Sequence, residues 1–150
     1  MPRTIRLFLC STWLLATVAG AASFSSSDPY RKDRALFLRA DEALQENRLD
    51  DYRQLAQQLT DYPLYPYLQY YELRRRLSRV NHDEVSDFIE ENKGEPLGKR
   101  MRQTWLYQLA KRQDWAHFLE TWGGNQPVKL QCYKLQAQIK TGQNEGCLLY

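Results

Sequence analysis

The sequence predicts an all-α fold, an irregular stack of antiparallel helical hairpins. Apolar residues recur at spacings of three and four along most of the chain. No stretch alternates at strand spacing between turn signals. The few glycines and prolines gather between the periodic stretches, where helices would be joined.

The first segment reads as a targeting signal. Arg3 and Arg6 form a basic start, Leu7 to Val18 is apolar but for Ser11, Thr12 and Thr17, and Ala19-Gly20-Ala21 closes it in small residues. Residues 1–22 are therefore expected to be a signal peptide cleaved after Ala21 or Ala22. The apolar run is short for a bilayer span, and no second one exists, so no stable membrane insertion is expected after cleavage. Cys10 follows Leu9, which is not small, and should leave with the signal.

Ser23 to Ser27 reads as a polar linker. Asp28-Pro29 is an N-cap and first-turn proline for a helix to about Asn47, with Tyr30, Phe37, Leu38 and Leu44 on its apolar side. A second helix starts near Asp50, with Leu49, Tyr52, Leu55, Ala56 and Leu59 for burial. Pro63 and Pro66 end it, because two prolines so close cannot share a helix interior. A third runs from about Pro66 to Arg79, using Tyr67, Leu68, Tyr71 and Leu77. Asn81 with Glu84 reads as a capping box for a fourth, whose apolar side is Val85, Phe88 and Ile89. Leu97 to Arg112 carries Met101, Trp105 and Leu109. Asp114 caps a short sixth helix lined by Trp115, Phe118, Leu119 and Trp122. After the turn Gly123-Gly124-Asn125-Gln126-Pro127, a seventh runs from Val128 to Thr141 and ends at Gly142. An eighth is expected to begin near Glu145. Short links make neighbours antiparallel, and no strict period marks a regular repeat.

At 150 residues, with 43% hydrophobic and 26% charged residues, one globular domain is expected. Loss of Arg3 and Arg6 leaves 19 basic against 18 acidic side chains, a net charge of +1. That removes most electrostatic support for binding nucleic acid.

Reactive constellations are missing from the pattern. His82 and His117 lie on different helices without further Cys or His at ligand spacing, so no metal or other cofactor is expected. His82 reads as a helix-start residue and His117 as an exposed one. Asp50-Asp51 and Glu90-Glu91 read as a helix start and a solvated face rather than an acid/base pair. Arg74, Arg75, Arg76 and Arg79 form the one dense basic cluster. It reads first as a solvated face and, more sharply, as a contact for an anionic polymer. Trp105, Trp115 and Trp122 have core spacing, although such rings can also stack on sugars. Cys132 and Cys147 flank Gly142 at distances of ten and five residues. In an antiparallel helix pair that places them at depths differing by roughly 7 Å, which argues against a bridge between them.

The run Asp61-Tyr62-Pro63-Leu64-Tyr65-Pro66-Tyr67-Leu68-Gln69-Tyr70 resembles a signature of the soluble lytic murein transglycosylase family. Leu109 to Trp115, and Cys132-Tyr133 with Lys140-Thr141-Gly142-Gln143, are similar to later stretches of the same family. The resemblance covers about Tyr30 to Gln143. It implies the family's N-terminal, U-shaped region, a right-handed α-superhelix resembling an α-solenoid, in residues 23–150. It further implies a Gram-negative periplasm and peptidoglycan as the polymer served by the whole enzyme. In the family a separate lysozyme-like domain cleaves between N-acetylmuramic acid and N-acetylglucosamine, leaving 1,6-anhydro products. That chemistry uses a glutamate typically followed by serine. No Glu-Ser pair occurs here, so the catalytic domain is expected to be absent and no catalytic residue is carried over. Cys132 matches a family cysteine that pairs further downstream, with a partner expected beyond residue 150. Departure from the family after Gln143 would fit a truncated or shifted reading frame. The functional expectation is a non-catalytic scaffold segment of a periplasmic wall-cleaving enzyme. The alternative is a free-standing helical-repeat adaptor for a periplasmic protein.

Overall fold

The computed structural model describes residues 28–143, which form seven helices and no strand. They are α1 (Arg31–Gln45), α2 (Leu49–Ala56), α3 (Tyr65–Arg76), α4 (His82–Glu91), α5 (Pro96–Arg112), α6 (Trp115–Thr121) and α7 (Val128–Lys140). The signal peptide, Cys147 and the helix expected near Glu145 lie outside the described residues. No described helix is long and apolar enough to cross a membrane.

The odd-numbered helices form a continuous row, α1 on α3, α3 on α5 and α5 on α7. The short even helices cover that row: α2 lies on α1, α4 on α5, and α6 on both α5 and α7. Side chains fill it as two clusters. Ala40, Ala43, Leu44, Tyr52, Ala56, Leu59, Tyr62 and Leu68 make the first. The second gathers around Trp105, Leu106, Leu109, Phe118 and Leu130, all fully buried, and reaches back to Tyr70, Leu73 and Leu77 of the α3 segment.

Helix ends follow local chemistry. Asn47 and Gln113 adopt left-handed φ of 62° and 58°, and Gly142 adopts 73°. At each, paired turn bonds close the helix: Arg48 N–H to Ala43 O, Asp114 N–H to Leu109 O, and Gln143 N–H to Gln138 O. Asp114 caps α6 as expected, its carboxylate accepting from the His117 N–H. Asp28 accepts from the Tyr30 N–H in a turn just before α1, which starts two residues after Pro29.

Three expectations are corrected. The Asn81–Glu84 capping box does not form, since Asn81 makes no side-chain cap bond and Glu84 instead pairs with Arg76. A charge-assisted pair with an arginine outcompetes a single bond to a backbone amide. The buried side of α3 is Leu68, Tyr70 and Leu73, while Tyr67 and Tyr71 are exposed. In α1, Ala40 and Ala43 face inward and Leu38 is 62% exposed. Small residues there let α2 approach closely, and that rotates Leu38 outward.

Two arginines fasten the row. Arg75 donates to the Leu44 carbonyl and, at 2.9 Å, to Asn47 Oδ1, closing the C-terminus of α1. Arg112 donates to the Leu77 carbonyl at 2.7 Å behind α3, with its guanidinium 5.0 Å from the Trp105 ring centroid. Cations at helix C-termini satisfy open carbonyls and complement the helix dipole.

Candidate functional site

The arginine cluster is divided by the fold. Arg75 serves the end of α1. Arg76 bridges Glu72 at 2.6 Å and Glu84 at 2.7 Å. Its guanidinium is held above its ordinary range by the hydrogen bond to Glu84 and then that to Glu72. The Glu84 carboxyl is correspondingly held low, first by its bond from Arg76. Arg74 and Arg79 are exposed and enter no ion pair among the described residues. Cys132 is exposed on α7, on the same side as the exposed Val128, Leu135 and Ile139.

The structure assembles one cluster that its sequence spacing conceals. His82 starts α4 and is buried, and Trp105 of α5 donates its indole N–H to His82 Nδ1 at 3.2 Å. The His117 ring of α6 stacks on His82 with centroids 4.1 Å apart, so His117 is partly buried rather than exposed. Glu120 brings a carboxylate oxygen to 3.6 Å from His82 Nε2. The ligand atoms of His82, His117 and Glu120 lie within 4.8 Å of one another, close enough to suit a cation.

Hydrogen-bond direction decides against that use. Indole N–H can only donate, so His82 Nδ1 must be the acceptor and the ring proton sits on Nε2. Nε2–H then donates to Ser86 Oγ, 3.1 Å away, and has no lone pair to offer a metal. A ligating histidine has the opposite arrangement, with its second nitrogen donating outward. The cluster instead ties α4, α5 and α6 together. His117 Nδ1 meets Asp114 Oδ2 at 2.8 Å. That bond raises the His117 pKa, against burial and with the Asp114 charge adding. Burial pushes the Asp114 carboxyl up, but the His117 bonds and charge together bring it below its ordinary value.

A concavity of about 760 Å³ lies elsewhere, between the start of α5 and the α6–α7 loop. Lys99, Arg100 and Arg102 line one wall, and Gly123 to Gln126 line the other. Among the described residues no carboxylate lines it. A second cleft of about 390 Å³ has the reverse character, with Glu72, Glu84, Asp87 and Glu91 around Arg76. Sequence density drew attention to residues 74–79 and missed these cations, which are spaced along α5 and face a loop twenty residues away.

No protein-family model matches the chain. The soluble lytic murein transglycosylase of Escherichia coli (strain K12) is 30% identical over 144 residues, covering 95% of this chain and 22% of that protein. The Salmonella typhimurium protein of the same name is 28% identical over 122 residues, covering 80% of this chain and 19% of its own. Among solved structures, a complex of the 70-kDa soluble lytic transglycosylase with bulgecin A matches with a TM-score of 0.71 and 28% identity. That match covers 79% of this chain and 19% of that one. Sequence and helical fold agree over most of the chain, which spans about a fifth of these relatives' length, and within that span it is similar to the soluble lytic murein transglycosylases.

Proposed function

We propose that residues 23–150 form a non-catalytic scaffold segment, from the N-terminal superhelical region, of a periplasmic lytic transglycosylase acting in peptidoglycan cleavage and turnover. Residues 1–22 are its export signal. The observation that carries this reading is similarity to murein transglycosylases along 95% of the chain, joined to a fold match at TM-score 0.71. The side chains support a bracing role. The one histidine cluster is committed to holding three helices, and two arginines close the ends of their neighbours' helices. Arg74 and Arg79 keep exposed charges for wall contact, beside Arg75 and Arg76 in their structural roles. Cys132, exposed on α7, is accessible to a cysteine beyond residue 150.

Purified chain mixed with cell-wall sacculi tests the reading. It should sediment with the sacculi and release no anhydro-muropeptides. Release by the chain alone would overturn the scaffold assignment. Failure to sediment, with capture of a single periplasmic protein instead, would replace it with an adaptor role.

A further inference from the structure

We propose that the groove between α5 and the α6–α7 loop binds a carboxylate-bearing, N-acetylated glycan strand. This deepens the wall-related reading above and rests on it. Three observations point to such a ligand. First, Pro96, Lys99, Arg100 and Gln103 recur at spacings of three and four, so that they share one side of α5 and line the groove together. Lys99 and Arg100 are exposed. Neither they nor Arg102 enters an ion pair among the described residues, in contrast to Arg48, Arg53 and Arg76. The nearest acid in sequence, Glu95, is the N-cap of α5 and does not line the groove.

Second, the facing wall supplies neutral hydrogen-bonding groups. Asn125 and Gln126 carry amides that can pair with an acetamido group, with a further amide from Gln103 of α5, and Gly123 and Gly124 leave backbone open to a ligand. A Cβ on Gly124 would meet nothing within 4 Å, so this stretch of loop is uncovered. A site with cations on one side and amides on the other matches a strand bearing both carboxylates and N-acetyl groups. Bare phosphate would use only the cations. Planar guanidinium forks hold carboxylates in two-point contacts.

Third, the wall is braced before any ligand arrives. Gln126 Nε2 donates to the Gly123 carbonyl at 2.5 Å, and Gln131 Nε2 to the Gln126 carbonyl at 2.9 Å. A Cβ on Gly123 would sit 3.8 Å from the Arg102 guanidinium carbon, so Arg102 lies along the loop and supports it. A loop held in place loses less freedom on binding. The groove volume also falls in the usual range for ligand sites.

The test uses the purified chain and fluorescently labelled soluble glycan strands with free peptide carboxylates, read by anisotropy. K99Q/R100Q removes two exposed charges, and K32Q/K140Q removes two exposed lysines outside the groove. Circular dichroism checks that both remain folded. The groove variant should bind about tenfold more weakly, equivalent to about 1.4 kcal/mol, and the control within twofold of the parent. Amidation of the strand's carboxylates should weaken binding to a similar extent, and neutral chitin oligomers should bind weakly. Equal losses in the two variants, or none in K99Q/R100Q, would overturn the proposal. So would single-stranded DNA of equal length binding as tightly, since the groove would then read charge alone. Retention on sacculi by K99Q/R100Q at parental levels defeats the groove while leaving the scaffold reading intact. Groove-dependent strand binding without retention on sacculi does the reverse.

Discussion

Gly98→Ala sets two effects of known size against each other. Gly98 is buried in the first turn of α5, where that helix crosses the end of α4. Alanine in a helix interior is favoured over glycine by about 1 kcal/mol. Here, however, an added Cβ would lie 2.9 Å from the Asn92 carbonyl carbon and closer still to its oxygen. That carbonyl is not free to yield. It accepts the Glu95 N–H at 3.1 Å, while the Asn92 side chain, itself buried, donates to Phe88 O at 2.8 Å. Overpacking a tight contact costs about 1–3 kcal/mol, and a backbone obstacle places this case at the upper end. The net effect is a loss of about 2 kcal/mol, or about 8 °C in melting temperature for a chain of this size. Urea denaturation followed by far-UV circular dichroism would show a lower midpoint at unchanged slope. A midpoint equal to or above the parent's would mean that the helices part at no cost, and the reasoning would fail. Because α5 carries Lys99 and Arg100, the same substitution should also weaken strand binding at temperatures where the variant is still folded.

Replacing His82 by leucine should leave the buried Trp105 N–H without an acceptor and cost about 1–3 kcal/mol; an unchanged urea midpoint would remove His82 from the interhelical network. Asp114→Asn keeps a helix-capping oxygen but removes the charge beside His117. The raised His117 pKa stabilises the fold fully below the ordinary value of 6.5, and that contribution fades as pH rises through the folded value. The lowered Asp114 pKa stabilises above the ordinary 3.8, and its contribution fades as pH falls through the folded value. Melting curves across pH should therefore show the largest deficit of the variant between those values, narrowing on either side. Both groups are partly exposed, so the deficit should stay under about 1 kcal/mol, and a deficit constant with pH would contradict the pairing.

Most of the helical layout was legible because caps and breakers act locally. Asp114 capping α6, Gly142 closing α7 and the proline pair between α2 and α3 all depend on residues within a few positions. Gln113 closes α5 in a left-handed conformation that its side chain does not advertise. Failures came where a distant partner intervened. Glu84 left its expected cap for Arg76, eight residues upstream. His117 was drawn against His82 across 35 positions by helix packing. The close approach of Gly98 to Asn92 likewise depends on how the end of α4 packs on α5. The groove escaped notice for the same reason, since its cations and amides belong to separate elements and meet only in three dimensions.

The division of the interior into two clusters joined through α3 bears on how this stack of helices would respond to load. Amides of α1 and α2 can exchange with solvent through a partial opening that leaves the larger cluster intact, a step cheaper than global unfolding. Pulled from its beginning, such a chain would peel off its first hairpin before the rest gives way. A helical stack that yields in stages can take up strain without losing its shape everywhere at once.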